Sequence, residues 1–458
     1  MYRDNGKRAA SKNKWIRSYL FATTIAILIC VVIISTSTYY YRHHNLSYHS
    51  LADYQTNQLR YKQPSNKLSG KHHWRSCNHD WSDTTTDCTI CNDNHGRRHS
   101  DTGYTLNQRK LWQQYVNNAP SYQSISNQYF ISGSRGIVTS AGTYDDIDSL
   151  IALLYILRNI LNCTLPIQIA HLSNEISIID RSILTQYTGV TLLNLNDQTL
   201  YSPIATTESN DRKYYIKLFA VLNSKFEHVL WLDVDNVPID DPEYLFDLPE
   251  YTDTTALFWR DMDNRVPSAH QLYSILDIPC IEQEPAQESG QLMINKRTAW
   301  KPLHLIQYMG MNWNIYTDGL LGDKELFHLS WMATHTPYFV IRRQWDAAGF
   351  MYKNTSFCGI SMVQRDTNNQ VVFIHVNAPK IFKQQFIDEH IRPSDLFTTW
   401  QVWSTDSIDV LYLWRQPCGS RFQSNIIPFD QMVLPNSVQQ LLQTYVAHAY
   451  RSWGITKV

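Results

Sequence analysis

A chain of 458 residues with 43% hydrophobic and 18% charged residues can bury a large core, which excludes an intrinsically disordered protein. Its 40 Lys+Arg against 41 Asp+Glu leave a net charge of -1, so bulk charge offers no surface for nucleic acid. The 28 Tyr and 14 Trp suit either a well-filled core or a groove in which aromatic faces pack on sugar rings.

The first predicted element is a membrane span. Residues 18–41 carry no charge, and Leu20 to Ile34 are nearly all apolar. At about 1.5 Å per residue in a helix, such a run crosses a hydrocarbon layer of about 30 Å. Arg3, Lys7, Arg8, Lys12, Lys14 and Arg17 precede it, opposed only by Asp4. The positive-inside rule then places residues 1–17 in the cytosol and the rest in the lumen. The run is long and ends without a small-x-small site, so it reads as a signal-anchor in preference to a cleaved signal peptide. The sequons at Asn45, Asn162 and Asn354 agree with a lumenal body. An odd number of cysteines follows the run (Cys77, Cys88, Cys91, Cys163, Cys280, Cys358 and Cys418), and disulfides are expected there.

Residues 42–127 are polar with little apolar periodicity and read as a lumenal stem. Cys88-Thr-Ile-Cys91, with Cys77, His79 and His95 nearby, reads as a small disulfide loop in preference to a zinc knot, because a second Cys-x-x-Cys pair is missing. From residue 128 the texture changes to alternating strands and helices. Ile137-Val-Thr reads as a strand, Asp145 to Arg158 as a helix, and Leu165 to His171 as a strand. Ile176 to Leu184 follows as a helix, Val190 to Leu195 as a strand and Tyr214 to Leu222 as a helix, before the strand Val229-Leu-Trp-Leu. That order predicts an α/β domain over residues 128–458, with a mostly parallel sheet flanked by helices. In such sheets ligands bind beyond the carboxyl ends of the strands.

The last of those strands runs straight into Asp233-Val-Asp235. Alternation along an extended chain turns both carboxylates to one side. Two anionic oxygen donors at a strand end make a site for Mg²⁺ or Mn²⁺, and a diphosphate can share the metal.

Lys217-Leu-Phe-Ala-Val-Leu, Val229-Leu-Trp-Leu-Asp-Val-Asp-Asn-Val-Pro and Asp241-Pro-Glu-Tyr-Leu-Phe together resemble the fungal Golgi α-mannosyltransferases of glycosyltransferase family 71. The likeness continues through Thr255-Ala-Leu-Phe-Trp-Arg-Asp, Glu288-Ser-Gly-Gln-Leu-Met-Ile-Asn, Gly322-Asp-Lys-Glu-Leu-Phe, Phe357-Cys-Gly-Ile-Ser-Met-Val-Gln and Phe373-Ile-His-Val-Asn. It implies a GT-A-like catalytic domain, GDP-mannose as donor, a mannose-containing glycan as acceptor, Mn²⁺ with Mg²⁺ as second choice, and retention of configuration. By the same resemblance Asp233, Asp235 and His375 are metal ligands. Glu288 faces the anomeric carbon, and Asp323 grips the sugar or acceptor. Gly142 is expected to bring backbone near the donor nucleotide, Lys217, on the helix before the metal strand, to reach a phosphate, and Lys380 to offer the phosphate contact that Val376 leaves open. Two departures stand out: Val376 where the family has Arg, and Asp145-Asp-Ile-Asp148 where it has aromatic and apolar residues. The implied location is the Golgi membrane, with other Golgi transferases as partners. Two other readings stay open: a retaining transferase using a UDP-sugar, and a catalytically silent anchored protein that binds glycans or scaffolds other transferases.

Overall fold

A computed structural model of the chain describes residues 102–140, 144–173, 175–204, 212–261, 270–278, 286–317, 320, 322–341, 346–352, 356–376, 392, 395–401 and 435–450. The apolar run 18–41, the stem cysteines, Cys280, Cys418, the sequons at Asn45 and Asn354, and the site candidates Gly142 and Lys380 lie outside the described residues. Among the described residues, no helix is long and apolar enough to cross a membrane.

The described chain opens with two helices, α1 (Gly103–Asn118) and α2 (Tyr122–Tyr129). Thr102 caps α1 through a reciprocal pair of bonds with Thr105, which satisfies donors that the first turn leaves orphaned. The stem was expected to run to residue 127, yet Trp112, Val116 and Tyr122 are buried in the core and Trp112 Nε1 donates to the Ile275 carbonyl at 2.8 Å. The buried stripe of α1 is Thr105, Gln108, Trp112 and Val116, spaced for a helix but half polar, while Leu106 and Leu111 face solvent. A search for apolar periodicity passes over such a helix.

The body then alternates: β1 (Ile131–Ser140), α3 (Tyr144–Tyr155), β2 (Ile167–His171), α4 (Ile178–Leu184), β3 (Val190–Asn194), α5 (Arg212–Asn223) and β4 (Phe226–Leu232). These match the expected order of elements, with ends shifted by a few residues. Next come β5 (Asn236–Pro238), α6 (Pro249–Thr252), β6 (Ala256–Arg260), α7 (His270–Leu276), β7 (Gln287–Asn295), α8 (Trp300–Met311), α9 (Trp313–Tyr316) and α10 (Lys324–Ala333). The described chain closes with β8 (Phe339–Ile341), β9 (Asp346–Tyr352), β10 (Ser356–Arg365), β11 (Val371–His375), β12 (Thr399–Gln401) and α11 (Asn436–Ala449).

Two sheets result. The larger has the order β3-β2-β1-β4-β7-β6-β8. Its pairs β3–β2, β2–β1, β1–β4 and β6–β8 are parallel, whereas β7 runs antiparallel to both β4 and β6. The smaller sheet has the order β12-β9-β10-β11-β5 and its pairs are antiparallel. The expected α/β domain with a mixed, mostly parallel sheet is therefore present.

Alternation along the central strands builds a core on each face of the large sheet. Leu230 and Leu232 of β4 join Ile137 and Met293 on one face, with residues of the smaller sheet and of α11. Val229 and Trp231 join Val138, Leu292 and Ile294 on the other, under α5, α8 and α10. Trp231, Trp259 and Trp331 are all but inaccessible, so these tryptophans fill the core and do not line a groove. Between β1 and β4 the order of the parallel strands reverses, and the crevice beyond that point is where an open α/β sheet receives ligands.

Candidate active site

Asp233 follows the last residue of β4, at the carboxyl end of the strand beside that crevice. Its backbone N–H donates to the Gly290 carbonyl of β7 at 2.8 Å, which fixes where the chain leaves the sheet. Asp235 sits two residues on, and β5 starts at Asn236. The register between β5 and β11 sets His375 opposite Asn236, and the Val376 N–H donates to the Asp235 carbonyl at 2.7 Å. Backbone pairing thus carries His375 across 140 residues of sequence onto the acidic pair. One ligand atom from each of Asp233, Asp235 and His375 lies within 4.8 Å of the others. His375 Nε2 is 3.2 Å from Asp235 Oδ1, so the ring turns that nitrogen toward the carboxylates. Two hard oxygen donors and one imidazole fit a divalent ion of the Mn²⁺ type.

A second layer surrounds these three. Glu288 of β7 is buried, and its Oε1 accepts from the Gly290 N–H at 2.5 Å and lies 3.4 Å from His375 Nδ1. A carboxylate behind the far nitrogen of a ligand histidine fixes its tautomer and orientation. Trp231, two residues before Asp233 and on the same side of the chain, donates its indole N–H to Asp233 Oδ1 at 2.7 Å. Lys217 reaches in from α5. Its ammonium is 3.1 Å from Asp233 Oδ1, 2.8 Å from the Ser289 carbonyl and 2.9 Å from Ser289 Oγ. Those partners engage the three donors of a lysine. Asp323 lies 3.7 Å from the same ammonium. It stands at the start of α10 but makes no capping bond, so its carboxyl faces the site and not its own helix.

Burial works against charge at His375, Glu288, Asp323 and Glu325; neighbouring charges outweigh it at the first two, and burial prevails at the other two. Burial disfavours the His375 cation, yet Glu288 and Asp235 raise its pKa well above 6.5. Burial likewise opposes ionisation of Glu288, but the adjoining His375 cation holds its carboxyl well below the usual range. Burial pushes Asp323 up to about 6, although Lys217 pulls in the opposite direction. Glu325, in the first turn of α10, is pushed up to about 7 by burial, with Lys324 3.4 Å away.

Gly290 has a role that its place in the sequence does not announce. A Cβ there would lie 2.8 Å from His375 Cε1, 2.9 Å from His375 Nδ1 and 2.9 Å from Glu288 Oε1. Gly290→Ala is therefore expected to push the imidazole off the acidic pair. Overpacking of this kind costs about 1–3 kcal/mol of stability, and a displaced ligand should weaken Mn²⁺ binding at least tenfold. Calorimetric Mn²⁺ titration of the folded variant checks this; binding equal to wild type would refute the steric argument.

Of the sequence candidates, the structure brings Asp233, Asp235, His375, Glu288, Lys217 and Asp323 into one cluster. Trp231, Ser289 and Gly290 join them without having been expected. Trp231 is legible in the sequence, since its spacing from Asp233 puts both on one side of a strand. Ser289 contacts Lys217 through its carbonyl and hydroxyl, for which residue type alone gives no signal.

The family model described as "Mannosyltransferase putative" matches residues 134–279 and 280–366. The alpha-1,2-mannosyltransferase MNN2 of Candida albicans is 26% identical over 233 residues, covering 39% of this chain and 39% of that protein. The alpha-1,2-mannosyltransferase MNN22 of the same organism is 23% identical over 337 residues, covering 61% of this chain and 56% of that protein. The match thus spans less than two thirds of the length of either relative. A crystal structure of the galactosyltransferase LgtC superposes with a TM-score of 0.33 at 18% identity, over 45% of this chain and 72% of that one.

Proposed function

This chain belongs to the mannosyltransferase family, and on that premise we propose that it moves mannose from GDP-mannose to a mannose-containing glycan, with a divalent cation and with retention of configuration. The observation that carries the reading is the Asp233, Asp235 and His375 cluster, set at the carboxyl end of β4 inside the matched family segment or just beyond it. The catalytic domain is read as GT-A-like, and the protein as a type II Golgi membrane protein.

Held by Asp233, Asp235 and His375, a divalent ion would bind the donor diphosphate and neutralise charge on the leaving nucleotide. Lys217 orients Asp233 through the 3.1 Å contact of its ammonium with Oδ1. Glu288, clamped by the Gly290 N–H, presents a fixed negative charge where positive charge develops on the sugar, and it also aligns His375. The bond from the anomeric carbon to the phosphate breaks, a bond to the acceptor oxygen forms, and the acceptor proton passes to the leaving phosphate. Asp323 is assigned to sugar or acceptor hydroxyls, and Gly142 and Lys380 to the nucleotide. Incubating the protein with GDP-mannose, Mn²⁺ and a panel of α-mannosides should give an α-mannosylated product. Transfer from a UDP-sugar with GDP-mannose inert would overturn the donor assignment, and binding of mannosides without turnover of either donor would favour a silent glycan-binding protein.

Metal binding should depend on pH in a defined direction. Without metal, His375 holds its proton to a pKa well above 6.5. The contact of its cation with Glu288 and Asp235 therefore stabilises the fold below pH 6.5 and is lost as the pH rises through the folded value. A cation needs the neutral ring, so Mn²⁺ affinity should rise with pH, by about tenfold per unit while one proton is displaced. Affinity that is flat between pH 6 and 8 would argue against His375 as a ligand.

The lumenal placement is tested by glycosylation. Asn162 is exposed at the end of the helical turn that follows α3, free to carry a glycan. Amidase treatment of the protein from its native membrane should shift its mobility, and Asn162→Gln with Asn354→Gln should abolish the part of the shift that does not come from Asn45, which lies close to the expected span. An unshifted wild-type band would contradict a lumenal body.

A further inference from the structure

We propose that the C-terminal helix α11 is a brace for the metal ligands, with Tyr445 as the principal positioning residue and Tyr450 as the second. The inference rests on the divalent-metal reading of the Asp233, Asp235 and His375 cluster. Tyr445 is fully buried, and its hydroxyl donates to the Val234 carbonyl at 2.8 Å. Val234 is the residue between Asp233 and Asp235. Tyr450, just past the helix, donates to the Val376 carbonyl at 3.5 Å. Val376 directly follows His375, and its own N–H donates to the Asp235 carbonyl. One helix therefore ties down the backbone beside all three ligands, on the turn that leaves β4 and on the end of β11.

The apolar face of the helix explains how it can act this way. Leu441, Leu442, Val446 and Ala449 are buried in the same core cluster as Val234 and Val376. The other side of the Tyr445 hydroxyl meets Ser149 of α3, and the Tyr155 ring of α3 lies 5.0 Å from the His448 ring. The brace thus joins α3, the acidic turn and the histidine strand. A carboxylate pair is useful to a hard cation only while its geometry holds, because loss of a supporting outer contact commonly costs a metal site about 10–100-fold in affinity. The matched family segment ends at residue 366, so α11 lies outside it.

The test is Mn²⁺ binding by the full-length protein, followed by calorimetry and by the electron paramagnetic resonance spectrum of the bound ion. Tyr445→Phe keeps the ring and removes only the hydroxyl. Its Mn²⁺ Kd should rise roughly tenfold, with a broadened bound-ion spectrum, and the Mn²⁺ concentration for half-maximal turnover should rise in step while turnover at saturating Mn²⁺ changes little. Tyr251→Phe is the matched control. It removes another buried hydroxyl, bonded to His228 near the opposite end of β4, and should leave Mn²⁺ binding unchanged. A Tyr445→Phe Kd within about twofold of wild type, or equal weakening in Tyr251→Phe, overturns the brace. If Tyr445→Phe does not fold, Tyr450→Phe decides: a raised Kd and a broadened spectrum support the brace, and wild-type values of both overturn it. Wild-type protein that binds no Mn²⁺ overturns the metal reading and the brace with it, an outcome distinct from a variant that binds as wild type does.

Discussion

Asp235→Ala is expected to reduce transfer by at least about 10³-fold, more than 4 kcal/mol of transition-state stabilisation, while the protein stays folded. The carboxylate follows β4 and lies outside the apolar cores, so little packing is lost with it. Its removal leaves two ligands of three and a His375 cation facing only Glu288. Mn²⁺ titration should show binding lost or weakened by at least about 10²-fold, with an unchanged far-ultraviolet dichroism spectrum. Chelator should reproduce the defect in wild type, and Mn²⁺ should reverse it. Full turnover in excess chelator would end the metal mechanism.

Glu288→Gln should be the next most damaging change. The amide keeps the volume and can still accept from the Gly290 N–H, so the local backbone has no reason to move. The negative charge is lost. If Glu288 faces the anomeric carbon as proposed, turnover at saturating Mn²⁺ and donor should fall by roughly 10²–10⁴-fold, about 3–5 kcal/mol, because such a fixed charge acts chiefly in the transition state. Mn²⁺ affinity should also fall, since His375 loses the carboxylate behind its Nδ1. The two roles separate cleanly. Turnover that returns to the wild-type rate once Mn²⁺ saturates would reduce Glu288 to an orienter of His375, and Asp323 would become the next carboxylate to test.

Much of this site is legible in the amino-acid sequence. Four apolar residues running into Asp233-Val-Asp235 announce a buried strand, and two acids spaced two apart just past its end offer a cation two oxygen donors on one side of the chain. Glu288, Asp323, Lys217 and His375 are found through block order within a family resemblance and not through spacing. No local pattern joins Asp235 to His375: their contact depends on the register of β5 with β11, a property of tertiary pairing. Helix α1 is lost to the stem because its buried stripe includes Thr105 and Gln108. The brace is illegible for a related reason. Tyr445 reads as one more apolar position on an amphipathic helix, and only the fold brings its hydroxyl to Val234.

On the proposed metal reading, the two aspartates stand on the turn that leads from β4 of the larger sheet into β5 of the smaller, and the histidine ends β11 of the smaller sheet. A cation bound there is a rivet through the seam where the two sheets meet. Any ion that grips only the folded chain adds RT ln(1 + [L]/Kd) to stability, about 2.7 kcal/mol when free metal stands at a hundred times its Kd. The seam should therefore open more easily when the protein is stripped of metal, and its melting temperature should climb with Mn²⁺ concentration well past stoichiometry. Storage in chelating buffer would leave this protein less active and also easier to unfold, cut or aggregate. For the same reason, supply of the ion in its compartment would set how long each molecule survives there as well as how fast it works.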